Sequence, residues 1–288
     1  MPTKTFLIVI LSVILIWSFY HRLFSPPTIT YKAFHALNCV ENSDCVNPTS
    51  IPMVIYRSWK TKDLEDDYQS AWDFTAYNNP GYKQILFDDN EMDQFMETVY
   101  SGKINNAYKK IIPNTARADL FRYCLLYEKG GVWLDMKSAA KSLCKLIRKD
   151  DTFIVSTWHK NPIHYLCGAG PWYDFGELQQ WWMVSSPKHP ILKACIDMVV
   201  NNIETRIADG MLEKKRSINI LGFNVMWNSA PDVIATTGPI AFTKAILNNE
   251  SSDYRLVCPS GNGILIYDYS GKHKGGLSYG AKGLFFRK

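Results

Sequence analysis

The sequence predicts an α/β protein with a mainly parallel central sheet flanked by helices, preceded by an N-terminal membrane anchor. Three observations carry that expectation. From Ile51 onward, short runs rich in apolar residues alternate with helical stretches, as they do when strands are joined by helical crossovers. Within that alternation, Pro113 to Lys137 reads as a helix, a two-glycine break and a strand in direct succession. Ahead of it, Phe6 to Tyr20 is an apolar run that belongs to no such unit. The 288 residues suffice for one domain of ordinary size and an appendage, and 47% hydrophobic against 20% charged residues exclude a disordered chain. A net charge of +5 suits an anionic ligand or a membrane surface. No nucleic-acid-binding module accompanies that charge, so nucleic acid is not expected as a partner.

Taken in order, residues 1–24 are expected to be an uncleaved anchor. The fifteen residues of Phe6 to Tyr20 reach only ~22 Å as a helix, short of a ~30 Å hydrocarbon core. A cleaved signal peptide is the rival, but its cleavage site requires small residues. The run ends instead in Trp17, Phe19, Tyr20, His21 and Arg22, which resembles an interfacial belt. Lys4 lies on one side of the run and Arg22 and Lys32 on the other, so charge leaves the orientation open. Residues 25–50, with Pro26, Pro27 and Pro48 and no periodicity, read as a stem. Cys39 and Cys45 enclose a short loop there and are a candidate disulfide if the segment is lumenal, with the pairing of the cysteines otherwise open. The other five cysteines lack metal-ligand spacing, and Cys124 and Cys195 fall on apolar helix faces as buried thiols. Asn249-Glu250-Ser251 is a glycosylation sequon, usable only in a lumenal setting.

The domain of residues 51–288 is expected to begin with a strand, Ile51 to Ser58, leading into Trp59. A helix over 63–77 follows, stopped at Asn78-Asn79-Pro80-Gly81, then a strand over Lys83 to Phe87. Asp88 and Asp89 read as the cap of a helix over 90–100, not as a metal pair. A further helix spans 104–111. Beyond the central string come strands over 153–158 and 180–184 and a long helix to about Ile207. A Gly/Pro-broken loop at 159–178 is a candidate acceptor wall or a plain connector, and Asp209 to Arg216 is a charged turn.

The central string concentrates the chemistry. Asn114 or Thr115 is expected to cap its helix, and Gly130-Gly131 to end it, since glycine adopts the left-handed conformation readily. Asp119 and Arg122, three residues apart, share one helix face. Arg117 borders the apolar face and calls for an anionic partner. On the strand, alternation sends Val132, Leu134 and Met136 to a core face and Trp133, Asp135 and Lys137 to a ligand face.

Quoted whole, RADLFRY followed by YEKGGVWLD resembles the core of the DXD-type glycosyltransferases of family 32, and is similar to the sugar-transfer domain of the large clostridial toxins. The resemblance implies a GT-A-type nucleotide-diphospho-sugar transferase fold. It extends to IPMVIYRSWK at the first strand and ATTGP at 235–239. It implies that Trp59 stacks on the nucleotide base, Asp119 meets ribose or sugar hydroxyls, and Arg122 bonds the sugar. Trp133 would pack beside the nucleotide, Arg117 would lie at the donor site, and Asp135 would hold ribose or a divalent metal, Mn2+ or Mg2+. A C-terminal loop with Lys272, His273, Lys274 and Ser278 would close over the diphosphate. One position departs from the pattern: Lys137 stands where the second acid of Asp-x-Asp is expected. An ammonium has three donors and no acceptor, which puts metal dependence in doubt and suggests that Lys137 faces the leaving group instead.

The expectation is therefore a retaining hexosyltransferase moving a sugar from a nucleotide-diphospho-sugar to a glycan, lipid or protein. The resemblance implies a single-pass type II membrane protein of the Golgi or ER with its domain in the lumen. A catalytically silent nucleotide-sugar- or glycan-binding relative and a tethered carbohydrate-binding module are the alternatives.

Overall fold

The computed structural model describes residues 45, 48, 50–156, 178–205, 216–220, 223–227, 232–249, 253–257 and 263–269, with backbone alone for 216–220, 223–227 and 232. The apolar run at 6–20, Cys39, most of the 159–178 loop, and Lys272, His273, Lys274 and Ser278 lie outside the described residues. No helix among the described residues is long and apolar enough to cross a membrane.

The first half alternates as the sequence indicates. Strand β1 (Val54–Ser58) is followed by α1 (Asp66–Asn78), β2 (Lys83–Phe87), α2 (Asp89–Val99), α3 (Lys103–Lys110), α4 (Asn114–Lys129) and β3 (Gly131–Leu134). Short β4 (Ala139–Ala140), β5 (Phe153–Ser156), β6 (Trp182–Ser185) and α5 (Pro190–Glu204) come next. A hairpin of β7 (Arg216–Ile220) and β8 (Phe223–Trp227), then α6 (Asp232–Thr236), α7 (Pro239–Leu247), β9 (Arg255–Val257) and β10 (Leu265–Ile266), complete the described elements.

Six strands make the central sheet in the order β2-β1-β3-β6-β5-β9. β1 runs parallel to both β2 and β3, and β9 parallel to β5. β6 alone is inverted, antiparallel to β3 and β5. The sheet is thus mainly parallel with one reversed strand. A separate antiparallel pair, β4 with β10, lies just past the turn that follows β3.

Two apolar clusters cover the sheet. One gathers residues of α2, α3, α4, α5 and α7 with Trp133, Phe153 and Met183. The other gathers Ile55, Val132, Leu134, Ile154, Trp182 and Val184 with Ala140 and Leu265 of the small pair. This corrects the expected faces of β3. The alternation is right, but Trp133 is only 1% exposed, and all four residues of the strand are buried. β3 is an interior strand covered on both faces, so neither side is left to solvent. The strand also stops at Leu134, three residues short of expectation. Ser138 N–H donates to the Asp135 carbonyl at 2.9 Å, closing a turn over 135–138.

Local chemistry explains most boundaries. Asp88 caps α2 through a reciprocal pair with Glu91, as its acids indicate. The expected cap on α4 does not form: Pro113 holds that position, and the Asn114 amide turns to Asp89 at 3.1 Å. Gly130 and Gly131 have φ of 63° and 98°. Both are also crowded. A Cβ on Gly130 would meet Pro187 at 2.6 Å, and one on Gly131 would meet the Val54 carbonyl oxygen at 2.8 Å.

The cysteine expectation is corrected in part. Cys124 and Cys195 are free and buried, but Cys45 is disulfide-bonded to Cys144 instead of pairing with Cys39. Ser50 Oγ also donates to the Asp151 carbonyl at 2.7 Å. The last residues of the expected stem are therefore bound to the domain.

Gly131→Ala forces both a left-handed alanine and a backbone contact at the start of the central strand. A loss of about 1–3 kcal/mol is expected. Chemical denaturation of the variant checks it, and a stability equal to wild type would contradict the packing described.

Candidate active site

The functional side chains converge where β1 and β3 end side by side. Tyr56 pairs with Trp133 in parallel register, so Trp59 and Asp135 leave the same edge of the sheet. Carboxyl ends of parallel strands are where open α/β sheets receive ligands. Helix α4 packs beside β3 and brings Asp119 and Arg122 to that edge.

Arg122 is the hub. Its guanidinium lies 3.1 Å from Asp119 Oδ1 and 3.1 Å from Asp135 Oδ1. It also donates to the Gln180 carbonyl at 2.9 Å and rests 5.0 Å from the centre of the Trp133 ring. The indole N–H of Trp133 donates to the same Asp135 oxygen at 3.1 Å. Asp119 accepts from Gln180 Nε2 at 3.2 Å and from Thr237 Oγ1 at 2.9 Å. Asp119 and Arg122 are nearly buried, whereas the Asp135 side chain keeps 23% of its surface exposed. Of the three charged groups, Asp135 is the one most open to a ligand.

Burial dominates the electrostatics. It pushes the Asp119 carboxyl up to about 6, with Arg122 and the Thr237 hydrogen bond pulling the other way and Asp135 adding to the rise. Removal from water thus outweighs the ion pair. Lys137 is half-buried, and burial lowers its pKa, with Asp135 and Asp268 opposing that shift. Its ammonium donates to the Tyr267 hydroxyl at 3.1 Å and sits 4.7 Å from that ring. The expected strand alternation does not place Lys137, because it lies in the 135–138 turn. It nevertheless remains within electrostatic reach of Asp135.

Two other expected site residues stand differently. Arg117 has its anionic partner inside the protein: it is ion-paired with Asp93 and lies 4.9 Å from the Tyr108 ring centre. That contact ties α4 to α2 and α3. Trp133 is a core indole that orients Asp135, not an open platform. Trp59 is half-buried, tilted against Tyr68 with ring centres 4.5 Å apart. Its indole N–H has no hydrogen-bond partner among the described residues.

Three contributors were given no role by the sequence, although Arg57 and Thr237 lie inside stretches quoted for the resemblance. Gln180 touches both Asp119 and, through its backbone, Arg122. Thr237, inside the ATTGP stretch, bonds Asp119 across 118 positions of sequence. Arg57, in the middle of β1, is 0% exposed and faces the carbonyls of the 135–138 turn. A cation in the centre of an apolar strand was the available signal.

Among the described residues, Asp135 is the one carboxylate at this edge that is open to a divalent ion. Asp135 Oδ1 is already shared by Arg122 and Trp133, and the neighbouring position offers an ammonium. No group of three or more His, Cys, Asp or Glu side chains able to hold a metal occurs among the described residues.

The Asp119 shift has a testable sign. Its folded pKa lies above the ordinary 3.8, so the folded state binds the proton more tightly. Its contribution to stability is full below about 4 and is lost as pH rises through about 6. Urea unfolding between pH 4 and 7 should therefore fall more steeply with pH in wild type than in Asp119→Asn. Parallel curves would show that Asp119 ionises as it does in water.

Comparisons with known proteins match the stretch that holds these residues. Residues 65–153, which contain Asp119, Arg122 and Asp135, match the family model described as a glycosyltransferase sugar-binding region containing a DXD motif. An initiation-specific alpha-1,6-mannosyltransferase of Candida albicans is 26% identical over 212 residues, 68% of this chain and 52% of the relative. Inositol phosphoceramide mannosyltransferase 3 of Schizosaccharomyces pombe is 32% identical over 87 residues, 30% of this chain and 24% of the relative. The chain spans about half the length of the initiation-specific mannosyltransferases it matches. Among solved structures, the PaToxG glycosyltransferase superposes with a TM-score of 0.50 at 15% identity, over 70% of this chain and 71% of that one. Residues 65–153 are thus similar to the sugar-binding region of the DXD-motif glycosyltransferases, in a chain whose fold is similar to that of a solved glycosyltransferase.

Proposed function

We propose that this chain is a retaining glycosyltransferase that moves a hexose from a nucleotide-diphospho-sugar to a hydroxyl acceptor. The carrying observation is the Arg122 guanidinium held between Asp119 and Asp135 at the carboxyl edge of parallel strands, inside the family-matching stretch. In the reaction the bond from the anomeric carbon to the diphosphate oxygen breaks. A bond to the acceptor oxygen forms on the same face, the acceptor proton leaves, and nucleoside diphosphate departs. The site must therefore meet sugar hydroxyls, an oxocarbenium-like carbon and a doubly charged leaving group.

The residues suit those tasks unequally. Asp135, open on one side and pinned on the other by Arg122 and Trp133, is a fixed acceptor for ribose or sugar hydroxyls. Asp119 has its oxygens engaged by Arg122, Gln180 and Thr237, so its role is to hold Arg122 in place. Trp59 offers a half-buried ring to a nucleobase. Lys137 supplies an ammonium beside the Asp135 turn. One such charge about 4 Å from a phosphate oxygen is worth roughly 4 kcal/mol at an effective dielectric near 20, before desolvation. Lys272, His273, Lys274 and Ser278 belong to the same proposal as a loop closing on the diphosphate.

The relatives' names point to mannose as the sugar, and one of them to an inositol phosphoceramide lipid as the acceptor, with a glycan acceptor part of the same proposal. A type II membrane protein of the Golgi or ER, anchored through residues 1–24 with a stem to residue 50, fits such acceptors.

Donor hydrolysis tests the proposal, measured with chelator and then with manganese. Wild type is expected to hydrolyse a nucleotide-diphospho-mannose with little change on chelation. Asp135→Asn should lose activity while still unfolding cooperatively, since Asp119 continues to pair with Arg122, and Lys137→Ala should lose much of it. Activity that vanishes with chelator, returns with manganese and ignores Lys137→Ala would remove Lys137 from the mechanism. Nucleotide binding without turnover under any condition would make the chain a silent relative.

A further inference from the structure

The strand preceding Trp59 contains a charge that the proposed reaction does not use. Arg57 is 0% exposed, and among the described residues it has no carboxylate partner in an ion pair. Its guanidinium is surrounded by neutral oxygens instead. Nη1 donates to the Ser138 carbonyl at 2.7 Å and approaches those of Met136 and Asp135 at 3.3 and 3.4 Å. Nη2 donates to Thr75 Oγ1 at 2.8 Å, and Nε to Gln84 Oε1 at 3.2 Å. The face of Trp72 lies 5.8 Å away.

Three carbonyls of one four-residue turn converging on a single group is a costly arrangement without a cation at its centre, because aligned carbonyl dipoles repel. Oxygen cages of this kind are what hard cations occupy in other proteins. Here the cation is covalently part of the chain. The partners of Arg57 are themselves fixed: Thr75 Oγ1 also accepts from Ala140 N–H at 3.1 Å, and Gln84 donates to the Trp72 carbonyl at 3.0 Å. The guanidinium thus fastens the 135–138 turn to α1, β2 and β4 at once. Burial lowers its pKa to about 9, with Asp135 opposing, which still leaves it charged at neutral pH.

The turn so fastened carries Asp135 at its first position and Lys137 at its third. We propose that Arg57 is a positioning residue of the active site, an internal cation that fixes the backbone of the 135–138 turn and thereby sets Asp135 and Lys137 relative to each other. Its effect on turnover rests on the glycosyltransferase reading; its effect on the turn does not. Other cations face the same turn, namely Arg122 through the Asp135 side chain and Lys137 itself. An ammonium in place of the guanidinium keeps the charge but cannot reach the carbonyls, Thr75 and Gln84 together.

Arg57→Lys and Arg57→Gln therefore form the test, with two readouts. The first is amide hydrogen exchange. Peptides covering 136–140 should exchange at least about tenfold faster in both variants, while α4 and β6 retain wild-type protection. The second is steady-state donor hydrolysis. With a shift of the turn on the order of 1 Å, kcat should fall about 100-fold while the donor KM changes far less. Unchanged exchange in 136–140, or loss of protection across the whole domain including a variant that does not fold, would overturn the proposal. Wild-type kcat in Arg57→Lys would do the same. Should wild type turn over no donor, the glycosyltransferase reading fails, and the exchange result alone decides the role of Arg57.

Discussion

A guanidinium between two carboxylates is the constraint on which this site depends. Arg122 joins a helix residue, Asp119, to a residue beyond a strand, Asp135, and through Gln180 to the approach of the inverted strand. Those groups come from separate segments, and each would be costly to bury alone. An uncompensated charge in a low-dielectric interior is worth several kcal/mol against folding, so the three must assemble together. Thr237 and the Trp133 indole complete the hydrogen bonding. The result is a rigid polar seam within an aromatic core, with one carboxylate edge left open to solvent.

That seam also explains why β6 runs backwards. A fourth parallel strand beside β3 would carry its own carboxyl end to the edge where Asp135 emerges. The inverted strand instead begins there, delivering Gln180 just before Trp182. Asp135 N–H donates to the Trp181 carbonyl at 2.8 Å, so the chain entering β6 supports the residue leaving β3.

Much of this was legible in the residues themselves. The helix, glycine pair and strand of the central string announced their order, and the glycine pair announced the helix end, through propensity and through positions where only glycine fits. Asp88 with Glu91 announced a cap by spacing alone. The covered face of β3 was not legible, because alternation reports which residues share a side and not whether that side is covered. A lysine two residues after an aspartate reads as the same strand face until a turn intervenes, and the turn depends on Arg57, nearly eighty positions earlier. The partners of Asp119 were hidden for the same reason, since Gln180 and Thr237 are ordinary residues until the chain brings them together. The Cys45–Cys144 pairing was equally remote, at a separation of 99 residues.

That disulfide has a mechanical meaning. A pull applied along the chain from its N-terminal side enters the folded body at Cys144, beside the small β4–β10 pair, before it can reach the first strand of the sheet. While the bond is intact, β1 carries no such load, and Arg57, Trp59 and the strand edge are shielded from tension. Reduction would redirect the same force through Ser50 and Ile51 straight into β1. The crosslink therefore acts as a strain relief for the site, independent of whatever it adds to equilibrium stability.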